Sequence, residues 1–521
     1  MTKKTTFPPF RNELYLDYTL PENRAAMLAE VAKLRAKLGA DHPLLIAGER
    51  IHTDDKHRSV NPSNPAELIG TVSKASPELA TRAIEAAYAY FPDWSRTDPM
   101  DRVKMLMRAA ELLRERKLHF NAWLTLESGK TFAEAEGETA EAIDFCEYYA
   151  REMARLSGAQ DVVQLPGERD EMHYLPLGVG VVIPPWNFPL AILTGMTVAA
   201  LVAGNTVVLK PSSETPIMAA ALCDLLLEAG FPAKSFQFVP GSGALIGDLL
   251  VQHPKTRFVA FTGSRDVGLR INELAAKAQP GQIWIKRVVA EMGGKDAIIV
   301  DSESDFDRAV DGVFFSAFGY QGQKCSACSR AIIHTDIYDK FVERLAEKAK
   351  TVRVGPADDP ANYMGPVISA GAKKSIESYI EVGRGEGRVV AGGTPIEKDG
   401  YFLPPTIIAD VDGKARVFQE EIFGPVLAVT RANDFEHALA LANDSVYGLT
   451  GAVFSTNPQH IKEARERFFV GNLYVNRKCT GAMVGAHPFG GFNMSGTDSK
   501  AGGPDYLLLF LQAKSIAERI A

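Results

Sequence analysis

Cysteine is scarce: Cys146, Cys223, Cys325, Cys328 and Cys479 are the five in a chain of 521 residues. So few, and odd in number, they argue against a disulfide scaffold and suit a reducing compartment. No apolar run reaches the length of a membrane span, because Pro, Gly or Asn interrupts each one. The opening residues MTKKTTFPPFRNE carry lysines with no apolar stretch behind them, so no secretory leader is expected. The location expected from these absences is cytoplasmic. Positive charge is not concentrated either. With 57 basic residues against 64 acidic, a net charge of −7 and no basic block, neither nucleic acid nor a membrane is an expected partner. Internal repeats and low-complexity tracts are also missing. So is the glycine fingerprint of dinucleotide-binding turns: Gly241-x-Gly243 has its next glycine at 247, one position late for G-x-G-x-x-G.

What is present is a globular chain with a large core, 46% hydrophobic and 23% charged, long enough for two or three domains. Residues 1–20 read as extended, and Met27, Val31, Leu34 and Leu38 recur at helical spacing before Gly39. Short β-like runs fill 44–73, punctuated by Asn61-Pro62 and Asn64-Pro65. Ser76-Pro77-Glu78 predicts a helix start, with Ile84, Ala87, Tyr88 and Phe91 as its buried stripe. Further helices are predicted near 100–118, 119–129 and 131–157, and a polar hairpin at 158–176. From 178 the period changes. Short apolar runs at 179–183, 206–209, 236–239 and 258–261 alternate with helical stretches, the pattern of βαβ units and a parallel sheet. A second such series runs from Ala297 to about 480. A parallel sheet binds ligands at the carboxyl ends of its strands, which here carry Pro184–Asn187, Lys210–Ser213, Pro240–Gly243 and Thr262–Ser264.

The chemistry concentrates in Phe318–Arg330, FGYQGQKCSACSR, and in Val289–Lys295, VAEMGGK. A thiol that attacks carbonyl carbon and a carboxylate that activates water form an acyl-transfer pair, Cys325 and Glu291. On the residues alone two other readings stand: Cys325 as a small buried hydrophobe, and Cys325-x-x-Cys328 as a redox pair or half a zinc site.

Six motifs in order, PWNFP (185–189), VLKPS (208–212), FTGS (261–264), EMGGK (291–295), GQKCSACSR (322–330) and EEIFGP (420–425), resemble the aldehyde dehydrogenase superfamily. Within it, CSAC at 325–328, AEAIDF at 140–145 and Thr480-Gly481-Ala482 leading to Pro488-Phe489-Gly490-Gly491 resemble the 1-pyrroline-5-carboxylate group, which oxidises L-glutamate γ-semialdehyde. The resemblance implies an α/β fold of the aldehyde dehydrogenase kind. A Rossmann-like, parallel-sheet NAD-binding domain would take 1–157 and 177–289, and an α/β catalytic domain 290–485. Residues 158–176 with 486–521 would form a small β oligomerisation flap and tail, making a homo-oligomer built on a dimer. An apolar terminal strand either pairs with another subunit or closes its own sheet, and both readings stand.

The implied roles follow. Cys325 is the nucleophile, Glu291 the base, and Asn187 the oxyanion donor beside the Cys325 N–H. Lys210 meets the adenosine ribose, Gly263 and Ser264 the pyrophosphate, and Glu421 with Phe423 the nicotinamide ribose. Where many members have a Glu three residues after that Lys, this chain has Ser213. A 2′-phosphate then meets no repulsion, which admits NADP beside the NAD that the group mostly uses. For the small-molecule substrate, Ser326 and the N–H groups of Gly481 and Ala482 would hold the α-carboxylate and Glu141 the α-ammonium. Phe188 and Phe489 would sandwich the aliphatic middle. This reading makes Cys328 a packing residue and implies no metal.

Overall fold

Runs of Val, Ile, Ala and Phe that are buried on both faces dictate two parallel sheets. The structure, a computed structural model, describes residues 7–520. Residues 1–6, the start of the segment read as extended and leaderless, and residue 521 of the tail lie outside the described residues.

In the first sheet Val179–Ile183, Thr206–Leu209, Phe236–Phe238, Thr256–Thr262 and Arg287–Glu291 run parallel. Antiparallel Leu44–Ile46 and Glu49–Ile51 complete its seven strands. Side chains alternate between two cores: Val182, Val207 and Phe258 point to one, Val181, Val208 and Val259 to the other. The chain starts at Val179–Ile183, builds outward to Phe236–Phe238, then returns to add Thr256–Thr262 on the opposite side. The crevice beyond the carboxyl ends of Val179–Ile183 and Thr256–Thr262 is therefore a topological switch point, where ligands of such sheets bind.

The second sheet orders Arg388–Ala391, Thr406–Ala409, Val426–Ala432, Cys328–His334, Asp296–Val300, Thr450–Phe454 and Asn472–Val475, parallel except for the first strand. Residues 292–295 alone carry the chain from the end of Arg287–Glu291 in one sheet to the start of Asp296–Val300 in the other. That short crossing brings the carboxyl edge of the first sheet to the amino edge of the second.

Helices start where their caps predict. Ser76 Oγ accepts the Leu79 N–H (3.3 Å), and Pro77 opens Pro77–Ser95. Tyr88 corrects the expected stripe: Ile84 and Ala87 are buried, but Tyr88 is exposed, with the Lys255 ammonium over its ring. Where the helix meets the sheet, Thr206 Oγ1 donates to the Ala87 carbonyl (3.0 Å).

The tail needs a second correction. Only Leu511–Arg519 joins the small sheet, pairing antiparallel along nine residues with Glu168–Pro176, which in turn pairs with Ala159–Gln160. The terminal strand thus closes a sheet of its own chain. Residues 486–510, expected with the flap, instead pass Glu291 and sink Tyr506, Leu507 and Phe510 into the first core, because these rings and Leu have apolar partners there. Among the described residues no helix is long and apolar enough to cross a membrane.

Candidate active site

The backbone before Cys325 is forced. After the helix Phe306–Phe318, Tyr320 (φ 51°), Gln321 (φ 55°) and Gly322 (φ 65°) run consecutively in the left-handed region. That conformation costs a residue with a Cβ about 1–2 kcal/mol, so partners must hold it. The Glu134 carboxylate accepts the Tyr320 N–H, and the Tyr320 hydroxyl donates to the Ser128 carbonyl (3.3 Å). The next constraint is close approach. A Cβ on Gly294 would lie 2.4 Å from the Cys325 carbonyl oxygen, and one on Gly293 would lie 2.1 Å from Glu421 Oε2. EMGGK carries two glycines because the crossing segment passes between the Cys325 loop and Glu421.

Glu291 ends its strand at the same place. Its carboxylate accepts the Ser499 hydroxyl and the Gly491 N–H (3.3 Å). Burial pushes its pKa up to about 7, against those hydrogen bonds and the Lys500 ammonium. A carboxylate poised there is a general base suited to neutral pH. The Cys325 thiol is also pushed up, by burial first and then by the carboxyls of Asp296, Glu421 and Glu291, while the Ser326 N–H works the other way. Asn187, buried, donates one amide N–H to the Gln323 carbonyl (3.0 Å), which fixes the amide two residues before Cys325 and leaves its second N–H to donate.

One cavity of about 630 Å³ collects most of the substrate-side residues: Cys325, Glu291, Ser326, Gly481, Ala482 and Glu141, with Phe188 and Phe489. Gly481 is left-handed (φ 78°), and its carbonyl is held by Arg477 (3.0 Å). Glu141 is no solvated helix charge. It lines the cavity, with its pKa pushed up to about 8 by burial, then by Glu138 and Asp144, against Lys130 and Lys324.

The cofactor-side residues lie apart from that cavity, around the switch-point crevice. Lys210 follows Thr206–Leu209, is buried, and has the Pro211 carbonyl (3.1 Å) as acceptor. Burial brings its pKa down to about 8. Gly263 donates its N–H to the Glu291 carbonyl (3.0 Å), and exposed Ser264 stands at the N-terminus of Arg265–Ala276, where the helix dipole favours anions. Glu421 accepts the Gly294 N–H (3.0 Å), and Phe423, left-handed at φ 57°, packs edge-on to Trp186 (5.4 Å). A buried ammonium with no carboxylate partner, an open helix N-terminus and a pinned carboxylate fit ribose, pyrophosphate and ribose in turn. Ser213 is exposed, and Glu214 beside it is the nearest carboxylate along the chain.

Several functional residues escaped the sequence reading. The buried ion pair Lys130–Glu138 (3.0 Å) stands in the cavity wall, with the Lys130 ammonium over the rings of Tyr320 (3.5 Å) and Phe188 (4.2 Å). Glu138 also accepts the Leu190 (2.7 Å) and Ala191 (3.1 Å) N–H groups, pinning the end of PWNFPL. Lys324 and Lys478 line the same cavity. A signal existed: in Phe132–Leu156, Glu134, Glu138 and Glu141 recur at i, i+4 and i+7, the spacing of a buried stripe. The CxxC readings separate as well. Cys325 faces the cavity, whereas Cys328 begins a strand and is buried with Ile298 and Cys479 in the second sheet's core. All five cysteines are free thiols. Among the described residues no group of three His, Cys, Asp or Glu side chains converges to hold a metal ion.

The aldehyde dehydrogenase family profile matches residues 51–516. The chain is 57% identical over 510 residues to a 1-pyrroline-5-carboxylate dehydrogenase of Geobacillus thermodenitrificans, covering 98% of this chain and 99% of that one. The structure of the 1-pyrroline-5-carboxylate dehydrogenase from Thermus with bound NAD superposes with a TM-score of 0.97 at 49% identity, covering 99% of this chain and all of that one. A betaine aldehyde dehydrogenase from Staphylococcus aureus in complex with NAD+ gives a TM-score of 0.88 at 31% identity, over 95% of this chain and 97% of that one. With the family profile matched over most of the chain and relatives alike over nearly its whole length, the conclusion is plain: it belongs to the aldehyde dehydrogenase family.

Proposed function

We propose that the chain oxidises L-glutamate γ-semialdehyde, the open form of 1-pyrroline-5-carboxylate, to L-glutamate with NAD, in proline degradation. The observation that carries this reading is the shared cavity. Cys325 and Glu291 stand together with a separate polar wall, Glu141 and the backbone of Gly481 and Ala482, that suits an amino-acid head. The relatives named for this substrate support it.

Cys325 loses its Sγ–H proton to solvent and adds through Sγ to the aldehyde carbon, and the Asn187 amide with the Cys325 N–H receives the developing oxyanion. The nicotinamide dinucleotide, held by Lys210, Gly263, Ser264, Glu421 and Phe423, supplies the hydride acceptor when bound. Loss of hydride from the tetrahedral adduct leaves a thioester on Cys325. Glu291 then takes a proton from water, whose oxygen attacks the thioester carbon and frees the carboxylic acid and the thiol. Ser326 and the Gly481–Ala482 N–H groups orient the α-carboxylate, Glu141 faces the ammonium, and Phe188 and Phe489 exclude water from the methylenes. Ser213 in place of an acidic residue leaves room for NADP. The small sheet of Glu168–Pro176 and Leu511–Arg519, which exposes Leu175 and Ile516, is the proposed subunit-pairing element of a homo-oligomer built on a dimer. Light scattering of a variant lacking Leu511–Arg519 tests it.

The central test compares NADH formation from L-glutamate γ-semialdehyde and from succinic semialdehyde, in the parent and in Cys325→Ala. The expected result is preference for the amino-acid aldehyde and a loss of about 10⁴-fold or more in the variant. Equal rates on the two aldehydes overturn the substrate, and activity surviving in Cys325→Ala overturns the mechanism.

A further inference from the structure

The family profile begins at residue 51, yet the substrate cavity does not. Tyr15 and Tyr18, from a segment without regular structure, line the same cavity as Cys325. This segment is strapped down by side chains from elements far along the chain. Asp144 accepts the Asn12 side-chain amide (2.8 Å) and the Glu13 N–H (2.7 Å). Glu136 accepts the Leu16 N–H (2.9 Å) and the Tyr18 hydroxyl (3.3 Å), and the Leu14 carbonyl accepts from the Lys117 ammonium (2.6 Å). Asn12 also donates to the Val484 carbonyl (3.0 Å), tying the strap to the loop after Ala482. Along the strap Leu14 is 84% and Tyr15 54% exposed.

Its position within the cavity is specific. The Tyr15 hydroxyl lies 3.7 Å from Met483 Sδ, one residue past Ala482, and the Tyr15 ring environment includes Glu141 and Asp144. Tyr15 therefore stands beside Met483 and Glu141, in the part of the cavity wall assigned above to the amino-acid head. A substrate that keeps its aldehyde at Cys325 and its head beside Glu141 presses that head toward this wall as it lengthens.

We propose that the strap Asn12–Tyr18 is a length gauge for the substrate, with Tyr15 as the specificity-determining residue that closes the head end of the cavity. This rests on the cavity assignment above for the placement of the head group, but the gauge itself is a matter of distance from Cys325. Removing the ring opens space for added methylenes, and one methylene in a snug pocket is typically worth about 10–200-fold in kcat/KM.

The test measures kcat/KM with NAD for L-glutamate γ-semialdehyde and its homologue with one further methylene, and in parallel for pentanal and heptanal. Parent, Tyr15→Ala, Tyr15→Phe and Asn12→Ala are compared, each with its thermal unfolding midpoint. Tyr15→Ala is expected to shift both long-to-short ratios toward the longer aldehyde by about 10-fold. Tyr15→Phe should keep the parent ratios, and Asn12→Ala, which loosens the strap without removing the ring, should move them part of the way. Unchanged ratios in both Tyr15→Ala and Asn12→Ala overturn the gauge. If the amino-acid aldehyde is not a substrate at all, the proposed function falls, while the pentanal-to-heptanal ratio still decides the gauge.

Discussion

The two seven-stranded sheets build the active site from opposite ends. The first contributes the carboxyl ends of its strands: Asn187 follows Val179–Ile183, Gly263 follows Thr256–Thr262, and Glu291 is the last residue of Arg287–Glu291. The second contributes amino ends: Cys325 lies three residues before Cys328–His334, and Gly294 two before Asp296–Val300. The rule that parallel sheets bind ligands beyond their carboxyl edges therefore locates the first sheet's share of the site and not the second's. What joins the two is the four-residue crossing at 292–295, whose glycines let both edges meet at one carbonyl and one carboxylate. The proposed base and oxyanion donor belong to one edge, the proposed nucleophile to the other.

Breaking the first edge is expected to be costly. Glu291→Gln should cut steady turnover by about 10²–10⁴-fold, leaving a burst of NADH from the acylation half-reaction. In the parent, kcat should rise as pH increases through about 7, because the base works ionised and burial has raised its pKa to that value. A variant that keeps the same rise removes Glu291 from that role. Asn187→Ala should lower kcat by about 10²–10³-fold with little change in KM, and a rise in KM alone would contradict an oxyanion donor. At the far wall the effect is smaller and falls on binding. Glu141, pushed up to about 8, ionises as pH rises through that value, so the KM for the amino-acid aldehyde should fall while that for succinic semialdehyde stays level. Glu141→Gln should raise the first KM on the order of 10-fold. The smallest effect belongs to the second edge's other thiol. Cys328→Ser should keep turnover while lowering the unfolding midpoint, since a hydroxyl replaces a thiol in an apolar core; lost turnover would revive the redox pair.

Legibility in the sequence followed the range of the interactions. The βαβ alternation and the Ser76-Pro77 cap are local, and they read through. EMGGK and GQKCSACSR read through because close backbone approach leaves glycines in the sequence as its mark. The strap, the Lys130–Glu138 pair and the path of residues 486–510 did not, because their partners are distant: Asn12 meets Val484 across 472 positions, and Ser499 meets Glu291 across 208. Acidic residues such as Glu127, which accepts the Ile217 and Met218 N–H groups, look like solvated helix charges until the helix end they cap is in view. Tyr88 erred the other way, an aromatic at the right spacing whose ring takes the Lys255 ammonium at the surface instead.

The helix Phe132–Leu156 holds three pieces by carboxylates on its one body: Glu134 the turn before Cys325, Glu138 the end of the Asn187 loop, and Glu136 with Asp144 the strap. It works as a jig. When the whole rod drifts, nucleophile, oxyanion donor and outer wall travel together and their mutual spacing survives. The fit degrades when the rod bends between residues 134 and 144, or when one of its four clamps is lost, so tolerance to thermal motion here depends on the stiffness of about three turns of helix.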